Sequence, residues 1–368
     1  MIGAMRTLLS IVLALPLAAA AQVQKSEEHE FRVAILVERL EHPWSIAFLP
    51  EGGWLVTERP GRLVLIKDSS KRQIAGVPKV YASGQGGLLE VALHPKFAEN
   101  RVIYLSYAEP GEGGASTALA RARLEGDRLE DLRVIFRQEP KTRGDAHFGG
   151  RIVFDRAGFL YLTLGERGQK ERAQLPDNHH GSVIRLHDDG RVPRDNPYAG
   201  RAGWKPEKLD LGHRNMQGAA PHPQTGALWT HEHGPQGGDE INIIRPGTNY
   251  GWPVITYGVN YGIGTKIGEG TQKAGMAQPL YYWVPSIAPS GMAFYDGARF
   301  PRWKGNLFVG ALRDQMLVRL ALDGEKVVKE ERLLKGVLGR IRDVRLGPDG
   351  YLYLLTDESN GVLARLEP

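Results

Sequence analysis

Apolar and polar positions alternate along this chain in short runs, and one arrangement of them recurs. It is an apolar strand, a polar turn rich in Pro, Asp and Gly, and a second apolar strand. Trp44 to Leu49 leads through Pro50-Glu51-Gly52-Gly53 to Trp54-Leu55-Val56-Thr57. Leu89 to Leu93 leads through His94-Pro95 to Val102–Tyr107, and Arg151 to Phe154 leads through Asp155–Gly158 to Phe159–Thr163. Met216 to Ala219 leads through His222–Gly226 to Ala227–Thr230. Gly291 to Tyr295 leads through Asp296-Gly297 to Asn306–Gly310, and Arg342 to Leu346 leads through Gly347–Gly350 to Tyr351–Leu355. Runs of this kind bounded by turn residues predict antiparallel hairpins. No long amphipathic helix is predicted, and residues 67–80 and 169–181 read as loops.

A lone hairpin buries too little apolar surface to stand. Six copies stacked around an axis bury one another's faces and leave only short edges, which predicts an all-β, six-bladed propeller of four-stranded antiparallel blades. The alternative is a pair of β-sandwiches. Phe31 to Val37 forms a further strand ahead of the first copy. It is expected to pair with the C-terminal blade and close the ring, since an unclosed ring would expose two sheet edges.

Composition narrows the chemistry. The 368 residues include no cysteine, which excludes disulfides, thiolate metal sites and cysteine nucleophiles. Arg6, the apolar run Leu8–Leu17 and the small residues Ala18–Ala21 predict an export signal over residues 1–22, cleaved near Ala21. The apolar run is shorter than the ~20 residues a spanning helix needs. Residues 23–368 are then expected to form a single propeller domain, periplasmic or secreted, with no membrane span after cleavage. The net charge of +5 is scattered among acids, with no basic stripe, so nucleic acid is not an expected partner. Nothing demands an oligomer beyond a monomer or weak dimer.

The innermost strands of a propeller converge on a central channel, so residues flanking the apolar strands gather at its mouth. That position yields Gln85, Glu90, His147, Arg214, Asn215, the run Gly234–Glu240, Arg313, Arg340 and Arg342. Guanidinium groups around a shared mouth call for an anion, and a polycarboxylate suits them because arginine forks bind carboxylates bidentately. Arg340 and Arg342 share one strand face, either about an anion or as exposed edge residues. His147 lies among glycines in Gly144–Gly150. It is a candidate base near pH 7, or a hydrogen-bonded structural histidine. His231 to Glu240, followed by Asn249-Tyr250-Gly251-Trp252-Pro253, crowds acids and bendable backbone together. This is either a hard-cation site or a solvated turn. Asp177, His179, His180 and His187 fit no tight metal-ligand spacing.

Three segments carry a family resemblance: Gly212-His213-Arg214-Asn215, His233–Glu240 with Asn249–Trp252, and Arg340-Ile341-Arg342-Asp343. In this order they resemble the PQQ-dependent aldose sugar dehydrogenases, the soluble glucose dehydrogenase-like family of six-bladed propellers. The resemblance implies oxidation of an aldose at C1 to a lactone, with PQQ and Ca²⁺ as cofactors and electrons passing to an external acceptor. His147 matches the family's general base. Gln85, Arg214, Asn215, Arg313, Arg340 and Arg342 match its PQQ-binding positions. The carbonyls of Gly234 and Pro235 match ligands of the cofactor-side Ca²⁺, and Asp239, Glu240 and Tyr250 match a nearby structural Ca²⁺ site. Tyr257 or Tyr261 is expected beside the cofactor or sugar. Two positions depart from the family: Arg313 replaces a lysine of some relatives, and Ala146 leaves His147 without an adjacent acid. Asp145 or a more distant group would have to orient the imidazole. A Ca²⁺-dependent lactone hydrolase and a non-catalytic binding propeller are the rival functions.

Overall fold

A computed structural model describes residues 22–68 and 70–368, and the expected export signal up to Ala21 lies outside them. Six antiparallel sheets follow one another around a ring, five of them with their strands in sequence order from the inside outward and the sixth completed by N-terminal strands. Blade 1 contains Pro43–Phe48, Trp54–Glu58, Arg62–Lys67 and Ser70–Ile74. Blade 2 begins with Leu88–Leu93 and Val102–Gly111, and blade 3 with Gly149–Phe154 and Leu160–Leu164. Blade 4 begins with Met216–Pro221 and Leu228–Glu232, blade 5 with Pro289–Phe294 and Leu307–Ala311, and blade 6 with Ile341–Leu346 and Leu352–Thr356. The first two strands of every blade are the hairpins expected from the repeat. Among the described residues no helix is long and apolar enough to cross a membrane.

Ring closure also follows the expected route. Glu30–Leu40 pairs antiparallel with Gly361–Glu367, with Val33 opposite Leu366 and Ile35 opposite Ala364. The N-terminal strand thereby becomes an outer strand of blade 6. Two details differ from the uniform four-stranded expectation. Blade 3 has three strands, and blade 6 reaches five through the short Gln24–Lys25. The presumed loop over 67–80 contains the strand Ser70–Ile74, whose outermost position leaves only Ile74 buried. Without a buried face the segment has no apolar alternation to read. Residues 169–181 contain the 3₁₀ turn Lys170–Gln174.

The core lies between blades. Leu55, Leu63 and Leu105 pack blade 1 on blade 2. Tyr104, Leu119 and Leu162 pack blade 2 on blade 3. Trp229, Phe294 and Val309 join blades 4 and 5, and Phe308, Leu317 and Leu354 join blades 5 and 6. Ile46, Val56 and Leu363 join blade 6 to blade 1. Each such side chain contributes roughly 1.5–3 kcal/mol on burial, and no blade keeps that contribution alone.

All six innermost strands share one irregularity. Their pairing with the second strand slips at Pro43/Ser45, Leu88/Val91, Gly149/Ile152, Met216/Gly218, Pro289/Met292 and Ile341/Asp343. Bulges bend a strand and re-aim its side chains. Here they sit where each innermost strand begins, at the end of the ring that gathers the polar residues described next.

Candidate active site at the propeller mouth

A cavity of about 330 Å³ opens at this end, lined by Trp44, Arg59, Gln85, Gln217, His233, Arg313, Arg340, Arg342 and Asp357 among others. Four guanidinium groups face it against one carboxylate, so three positive charges have no counter-anion in the lining. Arg342 donates through Nη2 to Asp357 at 2.6 Å and through Nη1 to Gln217 at 3.0 Å. Arg340 reaches the same Asp357 oxygen at 3.9 Å. The two arginines thus share a face, as their spacing predicts. Their neutralising acid is Asp357; the adjacent Asp343 lies in the channel below. Arg313 donates to the carbonyl of Ser286 at 2.7 Å and is otherwise largely exposed.

The imidazole of His147 is set by partners on three sides. Its Nδ1 lies 2.7 Å from Glu166, which is buried beneath it. Its main-chain N–H donates to the side-chain oxygen of Gln85 at 2.8 Å. Its own backbone has φ +57, a conformation costly outside glycine. A Cβ on Gly165 would fall 2.1 Å from the His147 carbonyl, so only glycine fits there. Glu166 is therefore the orienting acid. Asp145 instead receives a bond from Ser83 at 3.4 Å and holds the Gln85 main chain through its own carbonyl.

Arg214 and Asn215 diverge, as adjacent residues on extended backbone must. The Arg214 guanidinium donates to the carbonyls of His233 at 3.1 Å and Gly234 at 2.8 Å. Asn215 is fully buried, accepts from the Gly149 N–H at 3.1 Å and lies 3.5 Å from Gln85. It supports the residues that face the cavity.

The run 234–240 is a tight turn. A Cβ on Gly234 would meet the Gly237 carbonyl at 2.2 Å, so the backbone can fold this closely only with glycine. Asp239 anchors the turn. Its carboxylate accepts from the N–H groups of Gly234, Ile287 and Ala288 and from the Ser286 hydroxyl. Burial, set against those four donors, leaves its pKa pushed up to about 6. Three of the donors fall on Oδ2 and one on Oδ1, so the carboxylate is held in place by the turn and the segment 286–288. Glu240 keeps one long bond, from Asn242 at 3.3 Å. Tyr250 donates its hydroxyl to the Ile243 carbonyl at 2.7 Å, leaving its main-chain oxygen as its remaining atom able to ligate a cation. Behind the turn, buried His213 bridges Glu232 at 2.6 Å and Asp210 at 3.3 Å. Burial alone would lower its pKa; the two carboxylates outweigh it and raise the value to about 10.

Beside the arginine cavity runs a second cleft of about 550 Å³, sharing His233, Ala288 and Arg313 with it. Gly234, Pro235, Val259, Tyr261 and Val284 line it. Of the two candidate tyrosines, Tyr261 lines this cleft. Tyr257 is stacked on Tyr282 at 3.8 Å, away from both cavities.

Below the mouth the channel is closed by charge. Arg151 pairs with Glu90 at 2.8 Å and Asp343 at 2.9 Å. Arg345 pairs with the same two acids at 2.5 and 3.0 Å. Arg151 also lies over the Trp44 ring at 4.1 Å. Glu90, expected at the mouth, belongs to this internal quartet. His179 and His180 face separate partners, Glu207 and Thr142, and no cluster of three metal-ligating side chains occurs among the described residues.

Arg59, Glu166 and Asp357 were missed by the sequence reading. Each immediately follows the second strand of its blade or lies two residues beyond it, at the same end as the starts of the first strands. Gly234 and Arg313 occupy the equivalent positions in blades 4 and 5.

A six-bladed propeller with a cationic mouth and an acid-supported imidazole defines a class shared by known enzymes. The glucose/sorbosone dehydrogenase family model matches residues 40–365, and the chain belongs to that family of dehydrogenases. It is 48% identical over 344 residues to the aldose sugar dehydrogenase YliI of Escherichia coli K12, covering 91% of this chain and 92% of that protein. A glucose dehydrogenase crystal structure is 56% identical, with a TM-score of 0.89 over 90% of this chain and 98% of the other. The PQQ-bound aldose sugar dehydrogenase of Streptomyces coelicolor is 28% identical, with a TM-score of 0.75 over 92% of this chain and 98% of its own.

Proposed function

We propose that this dehydrogenase oxidises aldose sugars at C1 to lactones outside the cytoplasm, using PQQ and Ca²⁺. The observation that carries this reading is one cavity where Arg59, Arg313, Arg340 and Arg342 face a common space beside Gln85, the residue that holds His147. Three uncompensated positive charges suit a tricarboxylate such as PQQ, and the PQQ-bound relative supports the choice. Bound there, PQQ would supply a two-electron oxidant and Ca²⁺ a Lewis acid.

The protein's own part is orientation and proton transfer. With Nδ1–H directed at Glu166, the Nε2 of His147 carries the free lone pair and accepts the proton of the anomeric hydroxyl. Glu166 stabilises the imidazolium that forms. Arg313, Arg340 and Arg342 would hold carboxylates, while Gln85 and Asn215 keep the imidazole and its loop in place. The carbonyls of Gly234 and Pro235 would ligate the cofactor-side Ca²⁺. Pro235 accepts no backbone hydrogen bond among the described residues, and the glycine turn crowds its carbonyls together. A second Ca²⁺ is proposed at Glu240 and the Tyr250 carbonyl, beside Asp239. Tyr261, in the adjoining cleft, would face the sugar or cofactor.

The lactone-hydrolase alternative needs a cation deep in the channel on free acids. The axial acids Glu90 and Asp343 are instead paired with Arg151 and Arg345, which disfavours it.

Reconstitution tests the proposal. Apoprotein given PQQ and Ca²⁺ is expected to reduce an artificial acceptor only when an aldose is present. His147→Ala is expected to abolish turnover while leaving PQQ binding within a few-fold. Normal turnover by that variant would remove His147 from its role.

A further inference from the structure

Arg59 and Asp357 come from opposite ends of the chain and meet at the seam where blade 6 joins blade 1. Arg59 directs Nη1 at the carbonyl of Gly84 and holds Nη2 3.5 Å from Asp357. Its backbone is clamped: its N–H donates to the His42 carbonyl at 3.0 Å and its carbonyl accepts from Leu88 at 3.0 Å. A Cβ on Gly87 would lie 2.0 Å from that carbonyl, and the φ of +135 at Gly87 suits glycine alone. The Arg59 side chain is thus carried by a rigid main chain to the cavity wall. Its Nε is buried and has no partner, and the same is true of Nε in Arg342. Both residues line one cavity, and their buried Nε groups show a guanidinium cluster short of acceptors.

Asp357 is the hub of this group. One oxygen meets His42 Nδ1 at 3.0 Å and Arg59 at 3.5 Å, and the other meets Arg342 at 2.6 Å and Arg340 at 3.9 Å. Three guanidiniums this close repel one another, and a single buried carboxylate holds them together.

We propose that Arg59 is a fourth anion-binding guanidinium of the mouth, and that Asp357 is the internal counter-anion that keeps the arginines assembled until a polycarboxylate arrives. The choice of PQQ as that polycarboxylate rests on the function proposed above. A bound carboxylate would share with Asp357 the work of neutralising the cluster. Losing Asp357 should therefore damage the empty protein more than the loaded one.

PQQ is titrated into apoprotein at fixed Ca²⁺ by quenching of tryptophan fluorescence, and thermal midpoints are recorded with and without it. Arg59→Gln is expected to weaken PQQ binding fivefold or more and to make the salt dependence shallower. Arg59→Lys, which keeps the charge and loses the fork, should recover part of the loss. Asp357→Asn is expected to lower the midpoint of the empty protein more than that of the PQQ-saturated protein. A loss under fivefold in Arg59→Gln overturns the first half of the proposal. Equal lowering of both midpoints in Asp357→Asn overturns the second, since a purely structural acid would act on both states alike. Should the unaltered protein not bind PQQ, the cofactor assignment fails. Citrate, a plain tricarboxylate, then serves as the probe, and Arg59→Gln must still reduce citrate-induced stabilisation.

Discussion

Nδ1 of His147 sits 2.7 Å from a carboxylate oxygen of Glu166, a residue 2% exposed that also receives the Gly168 N–H. This contact orients the ring and leaves Nε2 as the nitrogen not engaged by the acid. Removing the charge while keeping the shape separates orientation from binding. Glu166→Gln is expected to lower kcat for sugar oxidation by roughly 10²–10⁴, with PQQ affinity unchanged within twofold. Steady-state kinetics beside a PQQ titration checks it, and an equal loss of binding would make Glu166 a general structural residue.

The backbone under His147 leaves no room for a methyl group. Gly165→Ala would place Cβ 2.1 Å from the His147 oxygen and 2.5 Å from its carbon, both main-chain atoms. The expected outcome is a loss of about 1–3 kcal/mol, read as a lower urea midpoint, together with a fall in turnover exceeding that of the same substitution at solvent-facing Gly158.

How much of this was legible in the sequence depends on position within the blade. The hairpins could be read because their strands are apolar and their turns are Pro/Asp-Gly. Ser70–Ile74 could not, because an outermost strand with one buried residue carries no pattern. The mouth divides in the same way. Gln85, His147, Arg214, Arg340 and Arg342 were found by asking what precedes each innermost strand. Arg59, Glu166 and Asp357 follow second strands, and antiparallel pairing returns those ends to the same rim. Applying that rule to every blade would have found all three. The hold of four donors on Asp239 could not have been anticipated, because three of them come from residues 286–288, more than forty positions away.

Asp357 gives the protein a specific response to acid. Burial by itself would raise its pKa; the charge and hydrogen bond of Arg342, then Arg59 and His42, outweigh burial and hold it well below the usual carboxylate range. A folded-state pKa below the unfolded one contributes stability above the unfolded value, about 3.9. That contribution is lost as pH falls toward the folded value. Between pH 5 and pH 2 the unaltered protein should therefore lose more stability than Asp357→Asn. Denaturant midpoints across that range test the difference, and parallel acid limbs would contradict it.

The internal quartet is a second electrostatic liability. Arg151 is 2% exposed and pairs with Glu90 and Asp343. Arg151→Met would leave both acids to Arg345 alone, and breaking a buried pair from one side costs roughly 3–5 kcal/mol. Chemical unfolding should report a loss of that order, with the drop partly reversed when Glu90→Gln is added. A loss under 1 kcal/mol would mean that water reaches the axis.

That sealed axis makes the propeller a cul-de-sac. On the function proposed above, the sugar that donates electrons and the acceptor that collects them would share one doorway. The two visitors are then expected to take turns: initial rates plotted against either would give parallel reciprocal lines, and an excess of one should block the other.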